Sequence, residues 1–570
     1  MSVVTHPPRV AYIASGDLVM YSDLLPSNKG RSSLVHSLAY HLDLLDLQSL
    51  DNDDDEEQDK RIGSSSGTEK SKLLSAIAAD ASSPDFSASN QDRRRATVYL
   101  PHPATNQQLS SYHEASFVNQ LSKDIRTESL EASSSSKRRK VSHFPSRTRS
   151  SSPSGTSDTD GSSSSSSAEL RLRPSSSVSG SSRQRGYKRP SPPKNQFGLQ
   201  DDCPTFSGLH RHISLVAGAS ITAAELLATG KADVAIAWDG GRHHAKKDCA
   251  SGFCYVNDVV LAILALRRPR KVVVTTTIPP NGEQAEADQG QETLRRTTIK
   301  RVQRVMYLDL DLHWGDGVEE AFHTSSNVLT LSIHHYAPGF FPCYAPSRNQ
   351  DRFGPPGSLK GDPGAGKNCL NIPLSVGTSN DTLERVLENT VQSLVDVWQP
   401  EMVVVQCGVD GLAGDPMAVW NLSAAAYVKT IQRVLGWKKP TLLLGGGGYN
   451  SENAARCWSL ITAACLGRFQ DDNQSKPHAA KPNTDNLTPL TEQQIDPNKN
   501  HPKHEAKTTS LDNIGFQTPI PDHKFWPNYA PQYTLDVAAG EMIDQNDQAT
   551  LQSIHKEFLK HIQNLNSRTK

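Results

Sequence analysis

Acidic and imidazole side chains alternate with leucines in one short apolar segment, residues 307–314. Asp309, Asp311 and His313 occupy every second position, so on an extended strand they would share one face. Burying three unpaired polar groups on one face of a strand is costly. The pattern therefore predicts either a bound metal cation or a hydrogen-bonded network in the core.

Three other apolar segments also end in side chains that can do chemistry. His243 and His244 form an adjacent pair, Asp410 follows a run of valines, and Tyr449 follows four glycines. Taken singly, each also fits an ordinary structure. The histidines fit a surface loop, Asp410 fits a helix cap or turn, and the glycines fit a tight loop, because their spacing is not that of a phosphate-binding motif.

All four segments follow predicted strands. The apolar runs predict strands at residues 9–13, 232–238, 304–312, 328–333, 402–407 and 441–444. Helical spacing predicts helices at residues 33–45, 219–227, 250–266, 383–398, 424–435 and 452–466. This alternation predicts an α/β fold, a single three-layer domain with a mainly parallel sheet between helices. Since ligand sites form outside the carboxyl ends of such strands, two carboxylates and a histidine could meet there as a three-ligand metal site.

The composition indicates that part of the chain does not join this core. Only 36% of the 570 residues are hydrophobic, and residues 131–180 contain 21 serines. We expect disordered insertions at about 48–93, 125–193 and 275–299 within a domain spanning 9–467. A disordered linker at 468–515 and a closing segment with a helix of the same domain at 516–570 would follow.

Charge, cysteine usage and hydropathy exclude several classes of protein. The net charge is −1, with 60 basic and 61 acidic residues, which argues against a globally basic nucleic-acid binder. No apolar run is long enough to span a membrane, and we expect no secretory leader. The eight cysteines form no C-x-x-C pair, so we expect reduced thiols in the core.

These segments together resemble the zinc-dependent class I histone deacetylase family, which has the arginase/deacetylase fold. The matching motifs are long and occur in order, at residues 243–248, 251–255, 413–417 and 445–450. The resemblance extends from about residue 9 to 467 outside the insertions, and resumes at about 519–535.

The resemblance implies a role for each matching position. The catalytic centre would comprise the zinc ligands Asp311, His313 and Asp410, the histidine pair His243 and His244 with their respective carboxylate partners Asp309 and Asp316, and the hydroxyl donor Tyr449. The substrate rim and tunnel would comprise Asp202, Gly252, Phe253, Phe341 and Met417, with Arg31 in the product channel. Structural K⁺ would bind at Asp309, Asp311, His313, Ser332 and Ile333, and at Phe322, Ser325 and Val328.

Several positions depart from the family pattern. Trp314 stands where the family usually has His, Arg242 where it has Trp, and Cys249 where it has Glu. The loop at residues 342–346 lacks the usual Gly-Thr-Gly-Asp. The altered loop borders the expected pocket mouth, so substrate preference is the property most open to change.

The resemblance implies hydrolysis of N-acetyl-lysine in histone tails or other proteins, with release of acetate and repression of transcription. A corepressor complex would be a further partner, whereas sequence-specific nucleic acid and membrane are not expected. A nuclear location, with a cytoplasmic pool in addition, would suit a basic import signal at Lys137, Arg138, Arg139 and Lys140. Ferrous iron suits the same ligands as zinc.

Three other functions compete with protein deacetylation. A deacetylase of small acetylated amines could use the same fold, although a rim carboxylate at Asp202 favours a peptide backbone. A catalytically weak scaffold of a repressor complex would account for Trp314. A binuclear manganese hydrolase of the arginase type needs further bridging carboxylates, and the chain has a single D-x-D-x-H segment.

Overall fold

A nine-stranded parallel sheet organises the computed structural model, with a separate two-stranded antiparallel ladder at its side. The structure describes residues 7–50, 66–77, 93–123, 197–277, 293–343, 368–472 and 511–566. All of them belong to one structural unit, Met1–Ile125 with Phe197–Lys570. Among these residues no helix has the length and apolar character needed to cross a membrane.

The strands are short and mostly apolar, as expected where both faces are covered. They are β1 (Val10–Ile13), β2 (Leu45–Asp46), β3 (Ala96–Tyr99), β4 (Val234–Ala237), β5 (Arg270–Thr277), β6 (Thr293–Lys300), β7 (Val305–Asp309), β8 (Val328–His335), β9 (Cys369–Leu374), β10 (Met402–Gln406) and β11 (Thr441–Leu444). The parallel sheet has the order β2-β3-β1-β4-β11-β10-β7-β8-β9, and β5 pairs with β6.

Helices cover both faces of the sheet. They are α1 (Gly16–Ser22), α2 (Arg31–His41), α3 (Ser66–Ala76), α4 (Asn106–Leu109), α5 (Ala115–Leu121), α6 (Leu209–Ala228), α7 (Asp258–Leu266), α8 (Asp316–Phe322), α9 (Asn380–Arg385), α10 (Gln392–Trp398), α11 (Ala424–Gly436), α12 (Ser451–Cys465) and α13 (Gln548–Asn566). A π-helical segment, Val386–Val391, joins α9 to α10, and single 3₁₀ turns lie at Gln48–Leu50 and Trp526–Tyr529.

The strands alternate their side chains between two hydrophobic cores. In β10, Val403 and Val405 pack into the core beneath α2, α11 and α12, whereas Val404 packs into the core beneath α6 and α7. The same alternation separates Met306 from Tyr307 in β7. This period of two places one core on each face of the sheet, so the predicted three-layer α/β class is confirmed.

Two predicted elements extend too far toward the site. The strand predicted at 304–312 ends at Asp309, because the Asp309 and Asp311 carboxylates accept hydrogen bonds from the backbone N–H two residues further on. The helix predicted at 250–266 begins only at Asp258. Gly252 and Phe253 have φ angles of +53° and +62°, which an α-helix does not contain.

Ordered elements occur inside two of the insertions that we predicted to be disordered. Helix α3 lies within 48–93, and its Leu73 and the following Ile77 are buried in the main core. The ends of the segment 275–299 belong to the β5–β6 ladder, which pairs Arg270 with Lys300 through Thr277 with Thr293. The prediction was wrong at these positions. Leu73 and Ile77 found partners in the main core, whereas the β-branched residues of β5 and β6 pair with each other. The remainder of the predicted disordered segments lies largely outside the described residues.

The closing segment returns to the same core as the sheet. Phe516, Tyr529 and Leu535 are buried in the main hydrophobic core, as are Ile554 and Phe558 of α13. The segment therefore completes one face of the three-layer arrangement rather than forming a core of its own.

The stacked indoles of Trp238 and Trp458 join β4 to α12 directly beneath the site. Their ring centroids lie 5.3 Å apart with planes 3° from parallel, and the Trp238 Nε1–H donates to Thr462 Oγ1 at 3.2 Å.

We expect Trp238→Ala to lower the free energy of unfolding by about 3–5 kcal/mol, because it empties a buried site. Urea unfolding measures this, with the exposed Met20→Ala as a control that changes it by less than about 0.5 kcal/mol. Equal effects of the two substitutions would contradict the assigned role of the stack.

Candidate metal centre and catalytic cavity

Four adjacent strands, β4, β11, β10 and β7, bring the polar segments together. Because all four run parallel, the loops that follow them leave the same edge of the sheet. The loop after β4 carries His243 and His244, that after β7 carries Asp311 and His313, and that after β10 carries Asp410. The sheet order therefore places segments that are up to 200 residues apart in one cluster.

Asp311, His313 and Asp410 converge on one point. One ligand atom from each lies within 4.8 Å of the other two, and all three side chains are buried. It is the only such group among the residues that the structure describes. His313 Nδ1 lies 3.1 Å from Asp311 Oδ1 and 2.9 Å from Asp410 Oδ2. Two carboxylates and an imidazole with a cavity beside them match the ligand set of a three-coordinate protein site for a divalent cation.

The charges of the cluster favour a cation at this point. Burial and the neighbouring Asp311 raise the pKa of Asp410 to about 7. His313 is also buried, which opposes its protonation, but the two carboxylates raise its pKa to about 10. A single imidazolium therefore serves two buried anions, and a divalent cation would neutralise both.

Hydrogen bonds from neighbouring loops orient the two carboxylates. Asp311 Oδ2 accepts from Gln406 Nε2 and from the Gly447 N–H, both at 2.8 Å. Asp410 Oδ1 accepts from the Leu312 N–H at 2.9 Å. These contacts hold the carboxylates in place before any metal binds, as outer contacts of metal ligands do.

His243, the first of the two adjacent histidines, is buried and paired with a carboxylate. Its Nδ1 is 2.8 Å from Asp309 Oδ2, which also accepts from the Tyr307 hydroxyl at 2.6 Å. Burial opposes protonation of His243, but Asp309 and Asp311 outweigh it and raise the pKa of His243 to about 9. This histidine therefore favours the cationic form.

His244 has the opposite character. Its Nδ1 is 2.8 Å from Asp316 Oδ1, and the other oxygen of Asp316 accepts from Lys246 Nζ. Burial and the charge of His243, whose ring centroid is 3.9 Å away, lower the pKa of His244 to about 3. His244 is therefore the neutral imidazole of the pair, with its Nδ1 held by Asp316.

A small cavity runs along these groups. It is lined by both histidines, Asp311, Phe253 and Tyr449, together with Asn28, Gly241, Arg242, Gly252, Cys254, Gly446 and Gly447. Burial and the carboxylates of Asp410 and Asp311 raise the pKa of Tyr449 well above its usual value. The phenol therefore stays protonated and can donate a hydrogen bond into the cavity.

The residues expected at the rim and tunnel lie around the mouth. Asp202 is exposed and accepts from the Gly252 N–H at 2.7 Å. Phe341 packs edge-on against His244 at 4.7 Å between centroids, and Phe253 lies 5.9 Å from Tyr449. A Cβ on Gly252 would lie 2.5 Å from His244 and 2.7 Å from Phe341. Only glycine therefore leaves the passage between Phe253 and Phe341 open.

Met417 and Arg31 lie further from the cluster. Met417 packs against the main core, with its N–H donating to Asp415 Oδ1 at 2.9 Å. Arg31 is buried, donates to the Gly448 carbonyl at 2.8 Å and lies over the Trp458 ring. Met417 thus borders the loop that carries Tyr449, and Arg31 lies behind that loop.

The two expected K⁺ sets are each brought together by the sheet. Asp309 pairs with Ser332 across β7 and β8, and Ser332 Oγ accepts from the Gly315 N–H at 3.3 Å. Ile333 is the next residue of β8, and Asp311 and His313 follow β7. In the second set, the Ser325 N–H donates to the Phe322 carbonyl at 2.8 Å, and Ser325 Oγ accepts from Val328 N–H at 3.1 Å. Binding of K⁺ at either set stays a prediction.

Some predicted features lie outside the described residues. They are the basic cluster Lys137, Arg138, Arg139 and Lys140, and the part of the 342–346 loop after Cys343. Cys343 itself is buried.

Several residues that shape the site were not predicted from the sequence. Gln406 and Tyr307 donate to the Asp311 and Asp309 carboxylates, Lys246 donates to Asp316, and Asp415 Oδ2 accepts from the Tyr449 N–H at 2.7 Å. A signal existed for Tyr307 and Gln406, since each is a polar side chain in a strand otherwise filled by apolar residues. Asp311, the partner of Gln406, is 95 residues away in the sequence, so the pattern could not identify that contact. Asp309, the partner of Tyr307, lies two residues further along the same strand, so that contact could have been predicted.

Trp314 takes part in a buried polar group on the far side of His313. Its Nε1–H donates to Glu319 Oε2 at 3.0 Å, and Asn371 Nδ2 donates to the same oxygen at 2.8 Å. Burial raises the pKa of Glu319 to about 7, although these two hydrogen bonds oppose the shift. The indole therefore acts as a hydrogen-bond donor beneath the metal cluster while the ligand His313 is kept.

Loss of one metal ligand provides the first test of the site. We expect Asp410→Ala to weaken binding of a divalent metal more than about 100-fold, because two protein ligands would remain. Metal content after dialysis, measured by mass spectrometry, reports this. Asp233→Ala, which removes an exposed carboxylate paired with Arg9, is the control and should keep its metal. Full metal occupancy in Asp410→Ala would remove Asp410 from the ligand set.

The buried Glu319 makes stability depend on pH. Because its folded pKa of about 7 exceeds its usual value of 4.5, the folded chain binds the extra proton between these two pH values. Its contribution to stability therefore falls as pH rises through that window. We expect the free energy of unfolding of Glu319→Gln, relative to the unsubstituted chain, to increase by roughly 3 kcal/mol between pH 4.5 and 7.5. Urea unfolding at several pH values tests this, with the surface substitution Glu384→Gln as control. A pH-independent difference for Glu319→Gln would contradict the assignment.

Comparison with known proteins agrees with this geometry. A family model described as "Histone deacetylase domain" matches residues 69–275 and 292–465, which include the metal cluster, both histidines and Tyr449. Histone deacetylase 8 of Xenopus tropicalis is 34% identical over 370 residues, which cover 64% of this chain and 76% of that protein. Histone deacetylase 8 of Danio rerio is 34% identical over 377 residues, 66% and 76% of the two chains. Histone deacetylase clr6 of Schizosaccharomyces pombe is 32% identical over 375 residues, 66% and 70% of the two. The resemblance found in the sequence is confirmed, and this chain belongs to the histone deacetylase family.

Proposed function

We propose that this chain is a zinc-dependent hydrolase that removes acetyl groups from N-acetyl-lysine side chains of histones and other proteins and releases acetate. Membership of the family supports a lysine deacetylase. The observation that carries the finer proposal is that Asp311 belongs both to the cluster with His313 and Asp410 and to the cavity that His244 and Tyr449 line. This arrangement would bring a metal ligand set, a general base and an oxyanion donor together.

Asp311, His313 and Asp410 would hold the metal. When bound, zinc would polarise the acetyl carbonyl and lower the pKa of a water molecule. Ferrous iron suits the same oxygen and imidazole ligands, so loading with each metal belongs in the assay. The K⁺ sets at Ser332 and Ser325 would be structural.

His244 is the proton carrier in this proposal. As a neutral imidazole held by Asp316, it takes the proton of the attacking water and later gives it to the departing lysine amine. His243, kept cationic by Asp309, contributes positive charge beside the carbonyl. The two adjacent residues thus divide base and electrostatic roles, because their carboxylate partners differ in what else they bind.

The lysine side chain would enter between Phe253 and Phe341. Phe253 lines the cavity and Phe341 packs against the cavity residue His244, so the two rings would offer an apolar lining for the methylene stem. Asp202 at the exposed rim would accept backbone N–H groups of a peptide. Its Oδ2 already accepts from the Gly252 N–H, which supports this orientation of the carboxylate at the rim. This favours an acetylated polypeptide over a small acetylated amine.

Chromatin is the setting that we propose for this activity. Acetylated histone tails would be the substrate, a corepressor complex would be the partner, and the nucleus would be the location, with the cluster Lys137–Lys140 as an import signal. Alanine substitution of these four residues, in a fluorescently tagged chain, should shift the protein toward the cytoplasm. Unchanged localisation would contradict the import role without bearing on the enzyme.

The deciding experiment is deacetylation of an acetyl-lysine peptide by the purified chain. We expect turnover after zinc loading, its loss after chelation, and loss in His244→Ala. An acetylated polyamine at the same concentration should be a poorer substrate. Absence of peptide deacetylation in the zinc-loaded chain would favour the scaffold alternative, and a preference for the polyamine would favour the small-amine alternative.

The Tyr449 hydroxyl has its own test. We expect Tyr449→Phe to lower kcat for the acetyl peptide about 10²–10³-fold, because it removes one donor to the developing oxyanion. Metal content should stay near that of the unsubstituted chain, since Tyr449 supplies no ligand to the cluster. A kcat within a few fold of the original would exclude Tyr449 from the chemical step.

A further inference from the structure

Arg242 places a positive charge inside the catalytic cavity. Its side chain is only 6% exposed and lines the cavity together with His243, His244 and Tyr449. The family usually has Trp at this position, so the charge is a departure from the family pattern. A buried guanidinium without an anion is costly, and its surroundings therefore need an explanation.

The described residues around Arg242 leave part of its guanidinium without a partner. Nη2 donates to the Asp239 carbonyl at 3.2 Å, whereas Nε is buried and makes no hydrogen bond. No carboxylate oxygen of the described residues lies close enough to form an ion pair with it. Asp239 and Asp258 are buried carboxylates whose charge acts on Arg242 from further away. Asp239 Oδ2 lies 2.9 Å from His36 Nε2, and the Asp258 oxygens accept from the Ser220 hydroxyl and from the Gly241 and Arg242 backbone N–H groups.

Neighbouring groups make the same end of the cavity attractive to an anion. Asn28 lines the cavity beside Arg242, and its buried Oδ1 makes no hydrogen bond, so its amide is free to turn its NH₂ toward a ligand. Arg31 is a second buried cation nearby. Its pKa is lowered to about 10, chiefly by burial and then by the charge of Arg242. An anion between the two would relieve this repulsion.

An ordinary structural role for Arg242 accounts for less of this arrangement. An arginine that stabilises a loop would donate several guanidinium hydrogen bonds to backbone carbonyls or carboxylates. Among the described residues, Arg242 makes one such hydrogen bond. The backbone of the loop is already held by Asp258 through the N–H groups of Gly241 and Arg242. The guanidinium is therefore not needed to hold the loop.

We propose that Arg242 makes the inner end of the catalytic cavity a binding site for a carboxylate group. The proposal rests on the proposed deacylase function and adds a substrate class to it. Phe253 and Gly241 line the cavity, Phe341 packs against His244, and Gln406 joins the Gly241 carbonyl to Asp311. With the lysine stem beside the two phenyl rings and the carbonyl at the metal cluster, the part of an acyl group beyond its carbonyl would extend toward Gly241 and Arg242. An acyl group that ends in a carboxylate would meet the guanidinium there, and Arg–carboxylate contacts are among the strongest hydrogen-bonded pairs.

The carboxylate could come from either of two sources. The first is the acyl group itself, for example malonyl, in which one methylene separates the carbonyl from the carboxylate. Its hydrolysis would add water across the amide, break the C–N bond, pass a proton to the lysine amine and release malonate. The second is the product acetate, which would be held after the same bond has been cleaved.

The first arm of the test compares two acyl peptides of one sequence on the zinc-loaded full chain. Malonyl-lysine and isovaleryl-lysine have the same number of heavy atoms, but only malonyl is charged. We expect the ratio of their kcat/KM values to favour malonyl and to fall about tenfold or more in Arg242→Gln. Arg242→Lys, which keeps the charge, should retain part of the preference.

The second arm measures binding rather than turnover. Calorimetry on the metal-loaded chain should give an acetate Kd that rises about tenfold in Arg242→Gln, while the Kd of neutral acetamide stays constant. Loss of malonyl preference assigns the site to the acyl group, and loss of acetate binding alone assigns it to the product. Either result supports a carboxylate site.

Unchanged selectivity and unchanged acetate binding in Arg242→Gln would overturn the proposal. If that variant does not fold, the unsubstituted chain still decides, because a preference for isovaleryl over malonyl together with no measurable acetate binding excludes the site. Failure of the proposed function has a different signature. In that case the acetyl peptide is not hydrolysed at all, and the calorimetric arm still tests Arg242.

Discussion

Several carboxylates are buried together at one edge of the sheet. The rest of the site depends on how their negative charge is compensated. Asp309, Asp311, Asp316 and Asp410 all lie within or beside the catalytic cavity, and burial alone would push each toward its neutral form. The chain answers with specific donors for each. Asp316 has His244 and Lys246, and Asp309 has His243 and the Tyr307 hydroxyl. Asp311 and Asp410 share one imidazole, so their excess negative charge is what a divalent cation would balance.

The carboxylates lie so close to the backbone of neighbouring loops that a side chain would clash with them. Glycine occupies these backbone positions. A Cβ on Gly408 or Gly315 would lie 2.1 Å from a carboxylate oxygen, and one on Gly447 would lie 2.3 Å from another. Each glycine lies in a loop that follows β7, β10 or β11, where the chain turns away from the sheet. Of the four glycines after β11, Gly447 therefore makes room for the carboxylates, whereas Gly445 and Gly446 make room for the Trp238 carbonyl and the Gln406 amide.

The positions that depart from the family pattern leave the ligands intact and change what surrounds them. Trp314 directs its N–H to a buried Glu319 and leaves His313 beside its two carboxylates. Arg242 leaves the neighbouring histidines in place and adds charge to the cavity that they line. The chemistry of the centre and the shape of its inner wall can thus vary independently, because different side chains of the same loops control them.

The amino-acid sequence alone determined the fold class and the identity of the central strands, because apolar runs that alternate with helical spacing can bury both faces only in a helix-covered parallel sheet. It also named the candidate ligands, Asp311 and His313 in one motif and Asp410 in another, which the fold brings together. The tertiary structure alone decided the contacts between distant segments, such as Gln406 with Asp311, and the exact end of β7 at Asp309. It likewise decided that α3 and the β5–β6 ladder are ordered. Adjacent His243 and His244 look equivalent in sequence, yet they differ in pKa because electrostatic environment depends on distance in space, which local pattern does not encode.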